Sequence, residues 1–289
     1  MRIVILLMLL SGISQYGYAA KKLKPFVLAS SHGTDMNMVS TQTRKALKNA
    51  GFSIVGEYSP YSGARIIIVT SPYLKKAAEK SKMGGFGAVQ RVSITRVGRK
   101  IQVAYTNPEY MANVYRMQDS LSVVAKKLER ALGRRMEFGR TAGLTAAQLR
   151  KYHYKVFMPY FDEPYKLGKF RDHHQAVQKI EQNLARRVGG TSKVYRVDLT
   201  GNKTVIGIGL TKKCGADRFI MKSIDTDKLR STPHLPYEIL VSNGQVLALH
   251  PKFRIAQSFP GLGMIGSNSF FSIRCAPDDI KTSLLKIVN

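Results

Sequence analysis

Two short segments decide the fold of this chain, residues 64–70 with the sequence ARIIIVT and residues 204–210 with the sequence TVIGIGL. Ile66 to Val69 form a continuous aliphatic run rich in β-branched residues, which is typical of a buried strand. Val205 to Ile208 form the corresponding run in the second segment. Each half of the chain is therefore predicted to contain one buried strand.

The elements around these strands follow the same order in both halves, with nearly constant separations. The matched pairs and their separations are Asp35 and Asp172 (137), Leu47 and Leu184 (137), Ile66 and Val205 (139), and Ile94 and Val241 (147). Asp35 and Asp172 are each predicted to cap the start of a helix. The drift is small, which is typical of an ancient duplication with later changes in loop length. The alternative is a chance similarity between two α/β segments.

The predicted fold class is α/β, of the α+β type, with two diverged copies of one unit. The first copy spans residues 21–133 and includes one long helix from Pro108 to about Leu132, which ends before Gly133. Residues 134–153 are a basic linker with a short helix capped by Thr145. The second copy spans residues 154–289, and its first strand is predicted at Val156–Met158.

The first 20 residues have the pattern of a cleaved signal peptide. Met1-Arg2 supplies the positive start, Ile3 to Leu10 is an apolar run, and Gly17 and Ala19 are small residues before a cleavage point at Ala20. The sequence therefore predicts export, to the periplasm or out of the cell. The alternative is a short buried strand or helix at the N-terminus. The apolar run is too short to span a bilayer, and no later segment is long enough either.

The chain carries 46 Lys and Arg against 18 Asp and Glu, a formal net charge of +28. Both halves share the excess, so it is not one local patch. Such a surface attracts anionic partners such as nucleic acid, lipid headgroups or acidic proteins. It could equally be an adaptation to an acidic medium or a bias of the lineage. Nucleic acid is disfavoured because no nucleic-acid-binding motif is present. The predicted partner is an anionic ligand or an acidic protein.

Cys214 and Cys275 are the two cysteines of the chain. In an oxidising compartment they are expected to form a disulfide, which would stabilise the fold by roughly 4 kcal/mol through loop closure. Two unpaired buried thiols, or a thiolate ligand to a metal or haem, are the alternatives. No CxxCH motif is present, which excludes c-type haem attachment.

The residues around the second predicted hairpin are the strongest candidates for a ligand site. Glu238 and His250 lie five and six residues from the Asn243-Gly244 turn, so the strand register predicts that they are neighbours. A His and a carboxylate within reach can form an acid–base pair or part of a metal site. The alternative is an ordinary polar contact between the two strands, with no ligand. The full set of predicted ligand-binding residues is His234, Tyr237, Glu238, His250 and Arg254.

No motif for catalysis is present. The glycines at 84–87 and at 261–263 lack the spacing of a phosphate loop, and no GxSxG or SxxK motif occurs. The sequence therefore favours a protein that is not an enzyme, although it does not decide the matter, and it identifies no cofactor.

The chain resembles the "domain of unknown function" family numbered three-hundred-and-two. In the first copy the resemblance lies in residues 47–52, LKNAGF, and in the hairpin that leads to Asn107-Pro108. In the second copy it lies in residues 234–241, HLPYEILV, and 249–251, LHP. The resemblance implies a two-layer unit, one sheet with helices on one face. Because the family dimerises, it also implies that the two copies form a pseudo-dimer within one chain.

The first copy departs from this pattern. Residues 89–91, Val-Gln-Arg, stand where the second copy has Pro236-Tyr237-Glu238. A ligand site in the second copy would therefore be lost in the first.

Two functional hypotheses follow. The first is an exported, non-enzymatic module that binds a ligand near His234, Glu238 and His250, or between the copies. The second is an envelope redox protein, or a protein that binds haem or a metal through the His, Met and Cys residues of the second copy. A hydrolase that uses Glu238 and His250 is a weaker third hypothesis.

Overall fold

The computed structural model of the chain describes residues 20–31, 33–155 and 158–289. The predicted signal peptide lies outside the described residues, apart from Ala20.

The first half contains six strands and four helices among the described residues, and its first helix begins at a polar capping residue. Asp35 caps the first helix, since its carboxylate accepts hydrogen bonds from the backbone N–H groups of Asn37 and Met38. The strands are β1 (Lys22–Leu23), β2 (Phe26–Ser31), β3 (Ser53–Tyr58), β4 (Ala64–Thr70), β5 (Gln90–Val97) and β6 (Lys100–Thr106). The helices are α1 (Met36–Asn49), α2 (Pro72–Glu79), α3 (Pro108–Val114) and α4 (Ser122–Leu132).

The second half repeats this mixture of strands and helices after a short connecting segment. The segment between the halves contains β7 (Met136–Phe138), β8 (Leu144–Thr145) and α5 (Ala146–Arg150). The strands of the second half are β9 (Tyr165–Lys169), β10 (Thr191–Leu199), β11 (Lys203–Leu210), β12 (Tyr237–Ser242) and β13 (Gln245–Ala248). Its helices are α6 (His173–Ala185), α7 (Asp217–Ile224), α8 (Pro251–Ser258) and α9 (Ala276–Val288). Asp172 caps α6 as predicted, because its carboxylate accepts from the N–H of Gln175.

One antiparallel sheet runs through both halves, in the strand order β7-β2-β6-β5-β4-β3-β10-β11-β12-β13-β9. The buried strands predicted at residues 64–70 and 204–210 are β4 and β11, each inside its half of the sheet. Helix α1 packs on β3 to β5, and α6 packs on β10, β12 and β13. The predicted α+β class is therefore confirmed.

The two halves share details of register as well as element order. A β-bulge falls at Val55 in β3 and at Val194 in β10, 139 positions apart. In the next strand pair of each half, Ile68 lies opposite Arg91, and Gly207 lies opposite Glu238. Arg91 and Glu238 thus hold matching positions, 147 residues apart, which is the separation predicted for Ile94 and Val241. The duplication itself stays a prediction.

The halves meet where β3 pairs with β10, with Gly56 opposite Tyr195. A Cβ atom on Gly56 would lie 2.3 Å from the carbonyl oxygen of Val194 and 2.8 Å from the Cβ of Tyr195. Glycine is therefore required here so that the two backbones can approach closely.

The sheet curls so that β5 and β12 face each other, although four strands separate them in the sheet order. The 3₁₀ turn Gly84–Gly87 of the first half packs against β11 and β12. The 3₁₀ turn Thr232–His234 of the second half packs in return against β4, β5 and β6. The core is therefore shared between the halves.

The helix predicted from Pro108 to about Leu132 is wrong as one element, because the chain breaks it into α3 and α4. Arg116 and Leu121 adopt left-handed backbone conformations in the intervening residues. The carboxylate of Asp119 accepts a hydrogen bond from the N–H of Leu121 at 2.8 Å, which stabilises this turn in place of a helical bond.

The strand predicted at Val156–Met158 is not where the second half begins its sheet. Val156 and Phe157 lie outside the described residues, Met158 lies in no strand, and the edge strand is β9. In the second hairpin, β13 ends at Ala248, and His250 caps α8, a helix that the sequence pattern did not predict.

The predicted linker, residues 134–153, pairs with the first half at two places. Strand β7 adds to β2, and β8 pairs with β1. The capping role of Thr145 is confirmed, since its hydroxyl accepts from the N–H of Gln148. The domain boundaries themselves stay predictions.

We predict that Gly56→Ala lowers the free energy of unfolding by roughly 1–3 kcal/mol, because the new methyl group forces β3 away from β10. Urea unfolding followed by circular dichroism measures the effect. Gly263→Ala is the matched control, since a Cβ there meets no atom nearer than 3.6 Å. Equal stability of Gly56→Ala and the wild-type chain would contradict this account of the junction.

Candidate functional site

Four of the five residues predicted to bind a ligand are buried. His234, Tyr237, Glu238 and Arg254 lie in the core. The hydroxyl of Tyr237 donates to the backbone carbonyl of Leu249. These side chains have structural partners, and their role in ligand binding stays a prediction.

Glu238 forms a buried ion pair with the other half of the chain. Nη1 of Arg91 donates to Oε2 of Glu238 at 2.9 Å, and the hydroxyl of Tyr195 donates to Oε1 at 2.7 Å. Arg91 and Glu238, which hold matching positions in the two halves, therefore contact each other directly.

Arg254 brings a second buried cation to the same carboxylate. Its Nε lies 3.8 Å from Oε2 of Glu238 and makes no hydrogen bond. Its terminal nitrogens donate to the backbone carbonyls of His234 and Pro236 and to the side chains of His234 and Ser258. Two arginines thus share one carboxylate, and backbone carbonyls solvate the second arginine in place of water.

His234 is held neutral in this cluster. Its Nδ1 lies 2.8 Å from Nη1 of Arg254. Because an arginine nitrogen can only donate, Nδ1 must accept, which puts the ring proton on Nε2. Burial, together with the charges of Arg254 and Arg91, holds the pKa of His234 well below its usual value.

His250 is not joined to Glu238. Its ring lies against Tyr165, with the ring centroids 4.4 Å apart, and its Nδ1 accepts from the N–H of Lys252. Burial lowers the pKa of His250 to about 4. The chain turns into α8 at His250, and the expected proximity of Glu238 and His250 stays a prediction.

His250 instead lines a surface pocket of about 590 Å³. The ring of His153 stacks on Tyr160 there at 4.2 Å, and its Nε2 lies 2.7 Å from the carbonyl oxygen of Met158. The carboxylate of Glu163 accepts from the N–H of Tyr160. The imidazole of His153 and the carboxylate of Glu163 therefore already have partners within this part of the chain.

The predicted disulfide is confirmed. Cys214 and Cys275 are bonded, with their Cα atoms 5.8 Å apart. The bond joins the 3₁₀ turn Lys213–Gly215 to the start of α9. It is compatible with an oxidising, extracellular compartment, and it removes both sulfurs from the possible metal or haem ligands. Within residues 20–31, 33–155 and 158–289, no group of three or more His, Cys, Asp and Glu is placed to hold a metal ion.

A pocket of about 470 Å³ lies where the two halves meet. The first half supplies the loop between β3 and β4, with Tyr61 and Ser62, and the end of β5, with Thr95 and Arg96. The second half supplies α7 and the segment that follows it. Residues of that half on the pocket wall are Arg218, Met221, Lys222, Asp225, Thr226 and Arg230.

Helix α7 is fixed beside this pocket by Asp217 at its first turn. Oδ2 of Asp217 accepts from the hydroxyl of Tyr58 in β3 at 2.6 Å and from the N–H of Leu210 at 2.9 Å. Burial raises the pKa of Asp217 to about 7. Arg218, Met221 and Lys222 follow at helical spacing, which places these three on one side of α7. Asp225 comes directly after the helix.

The pocket wall is strongly cationic. In the part of the chain that the structure describes, Arg96, Arg218 and Lys222 form no ion pair with a carboxylate. Arg230 donates to the backbone carbonyl of Asp225. Thr95 and Tyr61, which line the pocket, place their hydroxyls 2.9 Å and 3.2 Å from the buried hydroxyl of Thr232.

Asp225 is the one carboxyl group on this wall. Its Oδ1 accepts from the N–H of Ser231 at 2.8 Å, whereas its buried Oδ2 has no hydrogen-bond partner. Burial raises the pKa of Asp225 to about 7, against the opposing effects of the Ser231 hydrogen bond and the Arg230 charge. Below that pH the group is neutral, which removes its repulsion of an anion in the pocket.

The sequence alone does not identify this pocket, although part of the signal is present. Arg218 and Lys222 are four residues apart, a spacing that places them on one face of a helix. Nothing in the sequence indicated that this face lies next to β5 of the first half.

None of the protein-family models, curated proteins or solved structures compared with this chain matches it. The resemblance described above therefore stays a prediction. No helix among the described residues combines the length and apolar character needed to cross a membrane.

We predict that Glu238→Gln lowers the free energy of unfolding by about 3–5 kcal/mol, because two buried arginines lose their carboxylate. Arg91→Met is expected to cost less, since one arginine and one carboxylate then remain. Urea unfolding of both variants tests the order, and an Arg91→Met variant less stable than Glu238→Gln would contradict it.

Proposed function

We propose that this chain is an exported, periplasmic or secreted protein that binds a small polyvalent anion in the pocket between its halves. The observation that carries the proposal is the wall of Arg96, Arg218, Lys222 and Arg230 around a concave space. Clefts lined by one sign of charge attract and concentrate ligands of the opposite sign. A volume of about 470 Å³ is within the usual range for small-molecule sites.

The chemistry of the wall favours a ligand that carries at least two negative charges. Arginine forks bind carboxylate, phosphate and sulfonate oxygens with paired hydrogen bonds, and lysine adds a point charge. The hydroxyls of Tyr61 and Ser62 can hydrogen-bond the remaining oxygens, whereas the hydroxyl of Thr95 donates to Thr232. An acidic protein partner remains an outcome of the test, but a concave site of this size suits a small molecule better.

Export supports this reading without deciding it. The leader pattern and the disulfide between Cys214 and Cys275 are compatible with an oxidising compartment. We further propose that the halves act as a pseudo-dimer in one chain, a reading supported by the matched bulges at Val55 and Val194. The pocket would then occur once and not twice in the chain. At the position that matches it, between α2 and the turn from β10 to β11, the carboxylate of Glu79 accepts from the N–H of Thr200, and a carboxylate there does not favour an anion.

We predict that the double variant Arg218→Glu, Lys222→Glu weakens anion binding by about 100-fold or more, because it reverses two charges on the pocket wall. Isothermal titration with pyrophosphate, citrate and ethane-1,2-disulfonate measures the affinity. Lys126→Glu, Lys127→Glu is the matched control, since it changes the net charge equally on the exposed side of α4. The control should bind like the wild-type chain.

Either of two results would overturn this proposal. One is that no probe binds the wild-type chain. The other is that both double variants weaken binding equally, which would assign the attraction to net charge. If Arg218→Glu, Lys222→Glu still binds acidic proteins as the wild-type chain does, an acidic protein is favoured as the partner.

We predict that affinity for ethane-1,2-disulfonate falls by up to about fivefold between pH 7 and pH 8, because ionised Asp225 repels the anion. The disulfonate keeps its charge in this range. The groups that act on Asp225 are Arg230 and Arg140, which favour its ionisation, and Asp227, which opposes it. The pKa of Tyr61 is raised to about 12, so Tyr61 stays neutral.

The variant Asp225→Asn should bind the disulfonate with an affinity that does not change over this range, and at pH 8 it should bind more tightly than the wild-type chain. The same titrations measure it. If the affinity of Asp225→Asn falls between pH 7 and pH 8 as that of the wild-type chain does, Asp225 is not the cause of the pH dependence.

A further inference from the structure

An exposed apolar loop lies between α8 and α9. Ile265 is 88% exposed and Phe271 is 55% exposed, and Met264 is also exposed. The N–H of Phe271 donates to the carbonyl of Met264 at 3.1 Å, and the N–H of Phe270 donates to that of Gly263 at 2.8 Å. These two bonds close the loop and hold Met264 and Phe271 side by side with Ile265 between them in sequence.

Helix α7 extends this apolar surface. It packs against the 3₁₀ turn Phe270–Ile273, and its Phe219 is exposed. Single exposed apolar residues are common, but several on adjoining elements indicate an interaction surface. We name Phe219, Met264, Ile265 and Phe271 the apolar patch.

Cations border the apolar patch. The guanidinium of Arg274 lies over the ring of Phe271, 4.3 Å from its centroid. The disulfide holds Lys213 near Arg274, since their neighbours Cys214 and Cys275 are bonded. Arg218 and Lys222 lie on α7, on either side of Phe219 in the sequence. Residues 260–274 contain no Asp or Glu.

We propose that the apolar patch and its basic border dock on the surface of an anionic lipid bilayer. Ile265 and the phenylalanine rings would enter the boundary between headgroups and acyl chains, as in other peripheral anchors. The surrounding arginines and lysines would contact lipid phosphates, and the charge of +28 would draw the whole chain to a negative surface. The apolar residues project from a loop, which suits insertion into a deformable bilayer better than contact with a rigid acidic protein.

The absence of tryptophan from the sequence permits a site-specific test. Phe271→Trp places one indole in the apolar patch, and Met136→Trp places one at another exposed apolar position, 50% exposed. With vesicles of phosphatidylglycerol and phosphatidylcholine, the emission of Phe271→Trp should shift to the blue and be quenched by brominated acyl chains. Met136→Trp should do neither. Equal behaviour of the two variants would overturn the proposal.

Vesicle sedimentation provides the second measurement. Ile265→Ser, Phe271→Ser should lower binding to phosphatidylglycerol vesicles by about tenfold or more. The matched control Met38→Ser, Met136→Ser removes two exposed apolar side chains elsewhere and should bind normally. Wild-type binding to phosphatidylcholine alone should be weak, and equally tight binding to both lipids would contradict the electrostatic part.

The pocket between the halves provides a check on the folding of the loop variant. Ile265→Ser, Phe271→Ser should keep the disulfonate affinity of the wild-type chain, because neither residue lines that pocket. Loss of vesicle binding with normal disulfonate binding shows that the apolar patch acts on the membrane and leaves the anion pocket intact. If the variant binds vesicles like the wild-type chain, the proposal fails, whatever the pocket binds.

Discussion

The carboxylate of Glu238 lies between two buried arginine side chains from different parts of the chain, and the rest of the structure depends on that contact. Arg91 comes from β5 in the first half, and Arg254 comes from α8 in the second. Buried charges are costly unless they are paired and hydrogen-bonded. The sheet therefore has to curl until β5 and β12 meet, and the close approach of backbones at Gly56 allows this curvature while β3 and β10 stay paired.

The proposed anion pocket follows from the same arrangement. Its walls come from β5 of the first half and α7 of the second, so it exists only while the halves are held together. Tyr58 and Asp217 contribute a second bond across the halves and set the position of α7. The cations of the pocket contrast with those of the core. Arg91 and Arg254 are surrounded by carboxylate, carbonyl and imidazole acceptors, whereas Arg218 and Lys222 face solvent without a carboxylate partner among the described residues.

Much of the fold could be predicted from the sequence because its signals are local. The β-branched run at Ile66–Val69, the caps Asp35 and Asp172, and the turn at Asn243-Gly244 each specify an element through nearby residues. The separation of 147 residues between matched hairpin positions also agrees with the observed register. The break between α3 and α4 was missed because Leu121 and Arg116 adopt left-handed conformations that their residue types do not favour.

The site was harder to predict, for a physical reason. His234, Glu238 and Arg254 are residue types that occur in active sites, but the same types also form buried polar networks, and burial depends on contacts between distant segments. Arg91 appeared in the sequence to be a departure from the pattern of the second copy, whereas in the structure it is the partner of Glu238. The disulfide was predictable because two cysteines in an oxidising compartment leave one pairing.

The most direct test of the pocket is a ¹H–¹⁵N transverse-relaxation-optimised titration of the deuterated chain with ethane-1,2-disulfonate at pH 6. The account predicts saturable shifts concentrated at the amides of Ser62, Arg96, Lys222 and Thr226 on the pocket wall. The amides of the buried cluster around Glu238 should shift little. Shifts spread evenly over the basic surface, or confined to residues around His250, would contradict it.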